Sequence, residues 1–330
     1  MKPALPALPA LLLAFVLAAP ACTSAQSIDP ARPGTAVRID ALFTPDIGGI
    51  RQAIEIKTDD ASKPVLLFLS GGPGSSMMNN SDSFSNMLKK KFTIVHWDQR
   101  DAGRTLKLNA SPSQPTVAQM GSDTRQVIEF LREKLNKEKI YLLGSSWGNV
   151  LGFHIVRHHP ELIHAYFAVN PVVSQLASEK ELLAALKRQF RDDPVATGEL
   201  ASVKLPFEDD NDLFFLRKWL FYKDGMRQAT SEEFRTGFLQ WSKAWSPVWQ
   251  EVMRIDLPRE LPRADCPVYF FVGKSDIQTS AAITGQYFRQ LEAPKKDLVL
   301  FEHSGHQIHK DEPEKFQDAI LAIADAGPGG

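Results

Sequence analysis

The chain has 330 residues, 43% of them hydrophobic and 23% charged, with a formal net charge of −1. That is ordinary globular composition, enough for one large domain or one domain with an insertion. A charge so close to zero argues against a nucleic-acid partner, because little here would neutralise phosphates.

Residues 1–25 read as a leader rather than as part of the fold. Lys2 precedes an apolar run from Ala4 to Ala19, and small residues continue to Ala25. The run is too short, and too broken by Pro3, Pro6 and Pro9, to make a stable membrane span. The expectation is an exported protein, periplasmic or secreted. Two fates stay open: cleavage after Ala21 or Ala25, or lipid modification of Cys22, which would be the chain's only link to a membrane. Leu usually stands three residues before such a cysteine, whereas here Ala19 and Pro20 precede. The other cysteine is Cys266, so no intramolecular disulfide is expected, and the chain must rest on its core. Cys266, entering an apolar run after a loop, reads as a buried small hydrophobe.

Residues 26–35, with Pro30, Pro33 and Gly34, read as a linker. Val37, Ile39, Ala41 and Phe43 alternate with other residues, as do Ile54 and Ile56, and Asp46-Ile47-Gly48-Gly49 lies between. That pattern predicts an antiparallel hairpin. Pro64 to Leu69 is a continuous apolar run, the mark of a strand covered on both faces, and Phe92 to Trp97 reads as a second such strand. They end at Ser70-Gly71-Gly72-Pro73-Gly74 and Asp98-Gln99-Arg100. A helix is expected around Asp123 to Leu135. Next comes Ile140 to Leu143, leading into Gly144-Ser145-Ser146-Trp147-Gly148, an amphipathic segment from Val150 to His159, and a strand from Ala165 to Asn170. Between residues 171 and 262 no strand-like run occurs. Ser178-Glu179-Lys180-Glu181 reads as a capping box opening a helix, and aromatic residues from Phe214 to Trp249 follow. The sheet resumes at Val268 to Val272 and at Leu298 to Phe301, with helices near Ala281 to Leu291 and Pro313 to Ala324. Strands alternating with helices imply a mostly parallel sheet flanked by helices. The core is expected at 36–170 and 263–330, with a helical cap inserted at 171–262.

Gly144-Ser145-Ser146-Trp147-Gly148 is a Gly-x-Ser-x-Gly turn between a strand and a helix. Such a turn lifts the serine hydroxyl above the sheet edge, and its glycines let strand and helix pass closely. In an α/β sheet the reactive groups collect at the carboxyl ends of strands. Those ends carry Gly72, Asp98, Ser146, Asp276 and His306. Ser146 would be the nucleophile, His306 its base and Asp276 the group that orients the imidazole. The chain order Ser146, Asp276, His306 is that of α/β hydrolases. Backbone N–H groups of Trp147 and Gly72 would hold an oxyanion. His303 is the main rival base. His303, His306 and His309 have a zinc-like spacing, but no helix with a general-base Glu surrounds them, so no metal is expected. No cofactor is expected either.

Gly71-Gly72-Pro73-Gly74, Asp98-Gln99-Arg100 with Gly103 and Thr105, Gly144-Ser145-Ser146-Trp147-Gly148 and Gly305-His306 together resemble the proline iminopeptidase group of α/β-hydrolase serine peptidases. The resemblance spans about residues 37–325. It implies an α/β-hydrolase fold and an aminopeptidase releasing N-terminal residues from small peptides. It departs from the group at Ser70, where the group has His, and at Asp101 and Ser145, where the group has Gly. In that group cap carboxylates, one in a Trp-Glu pair, hold the substrate's free ammonium. Here Ala244-Trp245-Ser246-Pro247-Val248-Trp249 is similar to that stretch, but Gln250 follows. Glu251, beside Trp249 and Trp245, could take the missing role, as could Glu208, Asp209, Asp210 or Asp212, though that acidic cluster reads more simply as a solvated loop. Without such an anion, simple acyl transfer would survive and the enzyme would be an esterase or other small-acyl hydrolase. A third reading is an exported binding protein without turnover. The oligomeric state is left open.

Overall fold

The computed structural model describes residues 36–327. The leader, the Cys22 site and the linker lie outside them. The strands are β1 (Ile39–Phe43), β2 (Asp46–Ile47), β3 (Ile50–Arg51), β4 (Ile54–Thr58), β5 (Val65–Leu69), β6 (Thr93–Trp97), β7 (Ile140–Ser145), β8 (Ile163–Val169), β9 (Val268–Gly273) and β10 (Lys296–Phe301). All but β2 and β3 form one sheet in the order β1-β4-β6-β5-β7-β8-β9-β10. From β6 to β10 every neighbouring pair is parallel, and β4 pairs antiparallel with both β1 and β6. The predicted hairpin is β1 against β4, in register Ile39↔Thr58 to Phe43↔Ile54. Its connection is itself a two-residue hairpin, β2–β3, turning at Gly48 and Gly49 with φ of +57° and +82°. Only glycine enters that region at no steric cost.

The apolar runs are explained by what covers them. Every residue of β5, β6, β7 and β9 is buried. On one face Phe68, Tyr141, Phe167 and Phe271 pack with Phe84 and with Phe316 of the helix Pro313–Ala326. On the other face the helix Gly148–His158 lies on the sheet, its Phe153 ring 5.1 Å from that of Tyr166. Burying each such ring is worth roughly 1.5–3 kcal/mol. Cys266 is buried as expected, and desolvation pushes its thiol up to about 12.

Two helix starts differ from the sequence reading. The helix expected from Asp123 begins at Val117, because Thr116 accepts from Gln119 N at 3.1 Å and caps it a turn and a half earlier. The helix assigned a capping box at Ser178 begins at Gln175, so Ser178 and Glu179 lie inside it, buried. Periodicity finds a helix more readily than its first turn. Between β8 and β9 the longer elements are Gln175–Gln189, Pro194–Ser202, Asp210–Lys223 and Glu232–Val252, all helical. A true capping box occurs there at Asp209 and Asp212. The acidic residues read as a solvated loop are therefore partly structural: Asp212 is buried and accepts from Lys204 N, Glu208 N and Asp209 N.

Candidate active site

β7 delivers Ser146 into the turn before the helix Gly148–His158. Its φ is +52°, a region that costs a residue with a Cβ and is held here by the surrounding chain. The flanking glycines permit that approach: a Cβ on Gly144 would stand 2.4 Å from Tyr166 Oη, and one on Gly148 would stand 2.1 Å from Leu69 O. Ser146 Oγ lies 2.9 Å from His306 Nε2, and His306 Nδ1 lies 2.8 Å from Asp276 Oδ2.

Asp276 is buried, yet it accepts from Gln278 N at 2.8 Å, Thr279 N at 3.2 Å and Thr279 Oγ1 at 2.7 Å. Burial pushes its carboxyl up, but the His306 charge and these hydrogen bonds outweigh burial and hold it below the ordinary value. An ionised Asp276 keeps a proton on Nδ1 and leaves the Nε2 lone pair facing the serine hydroxyl. The loop carrying His306 is held by Asn170 at the end of β8, whose Nδ2 donates to Gly305 O and His306 O at 3.2 and 3.0 Å. Asn170 Oδ1 accepts from Gly273 N at 2.9 Å, so one side chain ties β8, β9 and the histidine loop together.

Above Ser146 runs the loop after β5. A Cβ on Gly71 would meet Ser145 O at 3.2 Å and Ser146 Cβ at 3.4 Å. The backbone N–H groups of Gly72 and Trp147 find no acceptor among the described residues. The two segments that carry them are joined by Gln99, which is buried. Its Nε2 donates to Ser70 O at 2.9 Å, and its Oε1 accepts from Trp147 Nε1 at 2.9 Å. Gln99's neighbours in the sequence are anchored as well. Asp98 accepts from Arg104 N at 2.6 Å, and Arg100 forms a fork on Asp123 at 2.9 and 3.1 Å.

A cavity of about 510 Å³ opens over Ser146, walled by Phe221, Phe238, Trp241, Trp249 and Arg217. Trp241 Nε1 donates to Pro73 O at 2.9 Å, fastening the helix Glu232–Val252 to the Gly72 loop. A second cavity of about 510 Å³ adjoins it across His306 and Gln278. Of the residues proposed for substrate, only Trp249 lines the first cavity. Trp245 packs on Gly74, where a Cβ would come within 2.7 Å of its Nε1. Glu251 faces away: its carboxylate oxygens accept from Val117 N at 3.3 and 3.4 Å, at the start of another helix. The correction has a helical cause, since residues two apart on a helix point to different sides. Among the described residues lining this cavity none carries a carboxylate.

His303 is exposed, its N–H bonded to Glu312. His309 is buried, its ring edge-on to Phe84 at 5.1 Å, and burial lowers it to about 4. The three histidines therefore diverge. Asp265 pairs with Arg263 at the far edge, and Asp297 bonds Leu298 N. Sequence reasoning passed over Gln99, Asn170, Thr279 and Arg217. Gln99 stood within a motif already noted. The others carried no local signal.

A family model for the α/β hydrolase fold matches residues 64–313. A probable aminopeptidase of Bacillus subtilis is 30% identical over 300 residues, covering 83% of this chain and 93% of that one. A proline iminopeptidase of Heyndrickxia coagulans is 22% identical, covering 83% and 95%. Among solved structures, a proline iminopeptidase-related protein of Thermus thermophilus superposes with a TM-score of 0.60 at 21% identity, covering 88% of this chain and all of that one. With its strand order, its elbow at Ser146 and these matches, the chain belongs to the α/β-hydrolase fold family, among relatives named as proline iminopeptidases and aminopeptidases.

Proposed function

We propose that this hydrolase is a serine hydrolase in which Ser146 is acylated, and that it acts as an aminopeptidase on small peptides. The observation that carries the reading is the continuous chain from Ser146 Oγ through His306 to Asp276, at 2.9 and 2.8 Å. His306 takes the serine proton as Oγ attacks the carbonyl, and the imidazolium is stabilised by Asp276. The N–H groups of Gly72 and Trp147 hold the oxyanion. His306 returns the proton to the leaving amine, and water then enters by the same route in reverse. The helical insertion at 171–262 acts as a cap that shields these steps from solvent. The name of the Bacillus relative supports the aminopeptidase label.

A second reading, an esterase or other small-acyl hydrolase with the same triad, is favoured by the first cavity, where none of the described lining residues carries a carboxylate to pair a substrate ammonium. The test is hydrolysis of a prolyl anilide beside short acyl esters, with fluorophosphonate labelling of Ser146 as the common control. Anilide release lost in Ser146→Ala supports the peptidase; ester turnover alone moves the assignment to the second reading. An unlabelled wild type overturns both. The leader is proposed to export the chain, and the mass of the mature N-terminus tests it, an intact Met1 overturning it.

A further inference from the structure

The cap side of the cavity holds a charged group in an otherwise aromatic wall. Arg217, on the helix Asp210–Lys223, lines the cavity and is 4% exposed. Its Nη1 donates to Glu179 Oε2 at 2.8 Å and its Nη2 to Glu179 Oε1. Glu179 is fully buried and does not line the cavity. A guanidinium has five N–H donors, so this end-on fork leaves Nε–H and one hydrogen on each Nη. The guanidinium also stands 5.7 Å from the ring of Trp249. Trp249 Nε1 is a second buried donor at this wall, and no acceptor among the described residues meets it.

A buried ion pair is poor value as a stabiliser. Both groups lose their water, and apolar replacements of similar volume often do as well or better. Here Arg217 shares the cavity lining with Phe221, Phe238, Trp241 and Trp249, where an apolar residue would complete the wall. Glu179 fixes the fork's orientation and makes the guanidinium's presence there tolerable. The unused donors suit a ligand that brings its own anion, and none of the described residues lining this cavity carries a competing carboxylate, those of Asp224 and Asp311 lying in the adjoining one. Lys310 adds a further positive charge at the exposed rim.

We infer that Arg217 is the anion-binding residue of this site, and that the substrate is a small acyl compound bearing a free carboxylate, of about the size of a dipeptide. This rests on the reading of Ser146 as the nucleophile, but not on whether the bond cut is an amide or an ester. A ligand of that size fits the cavity of about 510 Å³ over Ser146 without entering the adjoining one. Arg217 supplies planar, two-point recognition that a lysine cannot copy.

The experiment measures protection of Ser146 from a fluorophosphonate by N-acetylalanine and by N-acetylalanine amide, which differ only in the carboxylate. The acid is expected to protect at a concentration at least tenfold below that of the amide. The ratio should fall towards one in Arg217→Gln and recover in part in Arg217→Lys. Where Arg217→Gln fails to fold, the wild-type pair still tests the carboxylate preference, and Arg217→Lys with Lys310→Gln places it at the wall or at the rim. Equal protection by acid and amide, or protection by neither, overturns the inference while the nucleophile reading stands. A preference lost in Lys310→Gln and kept in Arg217→Gln also overturns it, by moving the anion to the rim. Absence of labelling in the unprotected enzyme is the separate failure of the nucleophile reading itself.

Discussion

Two walls meet over Ser146, and they are built by different means. The floor consists of strand ends: Ser146 after β7, Asn170 after β8, Asp276 after β9 and His306 after β10. Its groups are placed largely by backbone, with Asp276 held by two N–H groups and Asn170 bonding carbonyls and an amide. The roof is the helical insertion, and its placements are made by side chains, Arg217 on Glu179 and Trp241 on Pro73. A floor set by sheet topology leaves little freedom, because the parallel order brings these ends together whatever the roof contains. A helical roof can change its side chains without disturbing that order. On the proposed mechanism the reaction belongs to the floor and the choice of substrate to the roof.

The largest effect on the floor is expected from Ser146→Ala. With Ser146 as the proposed nucleophile, this substitution should lower kcat by at least about 10⁴-fold with little change in the roof's affinity for ligand, since the members of such a triad act as a unit. Residual turnover above about one per cent would mean that the floor is not where the reaction is carried out.

The next effect concerns the floor's stability. Folded His309 is held near a pKa of about 4, whereas a free histidine titrates near 6.5. Between those values the unfolded chain binds the extra proton, so His309's contribution is whole above pH 6.5 and is lost as pH falls towards 4. From pH 7.5 to 5.0 this amounts to about 2 kcal/mol at His309 alone. Urea unfolding at the two pH values should show a drop that is smaller by about that amount in His309→Phe. An equal drop in both proteins would remove His309 as its source.

Gln99 sharpens the comparison from within the floor. Gln99→Leu keeps the volume but cuts the link between Ser70 and Trp147. The expected result is a fall in kcat of roughly 10–100-fold with KM little changed, because in the proposed mechanism the two N–H groups act on the oxyanion and not on the bound substrate. Gln99→Glu, which still accepts from Trp147 but cannot donate to Ser70, should recover only part. A change in KM alone would show that Gln99 shapes the pocket instead.

The same contrast explains what could be read in the sequence. Ser146, Asp276 and His306 were legible because each follows an apolar run, and strand ends share one edge. The hairpin was legible from alternation and two glycines, down to the pairing of β1 with β4. In the roof only the helical character came through. A helix presents a side chain every 100°, so identifying an acidic residue beside Trp249 does not say which side it faces. Proximity in the chain points Glu251 at the substrate, yet it sits against Val117. The local pattern makes Glu179 a capping residue, yet it meets Arg217, 38 residues away. Such partners are fixed by the packing of several helices, which no short window contains.

The smallest effect tests that correction directly. Two long hydrogen bonds, at 3.3 and 3.4 Å, join Glu251 to Val117 N, the first residue of the helix Val117–Lys134. A carboxylate there also meets the positive end of the helix dipole. Glu251→Ala should therefore cost about 1 kcal/mol of stability, read as a lower urea midpoint, with Glu251→Gln losing roughly half of that. KM for a substrate with a free amino terminus should stay within about twofold of wild type in both variants, because the side chain does not reach the cavity. A tenfold rise in KM confined to amine-bearing substrates would return Glu251 to the roof's binding surface and show that a single helix can serve both walls.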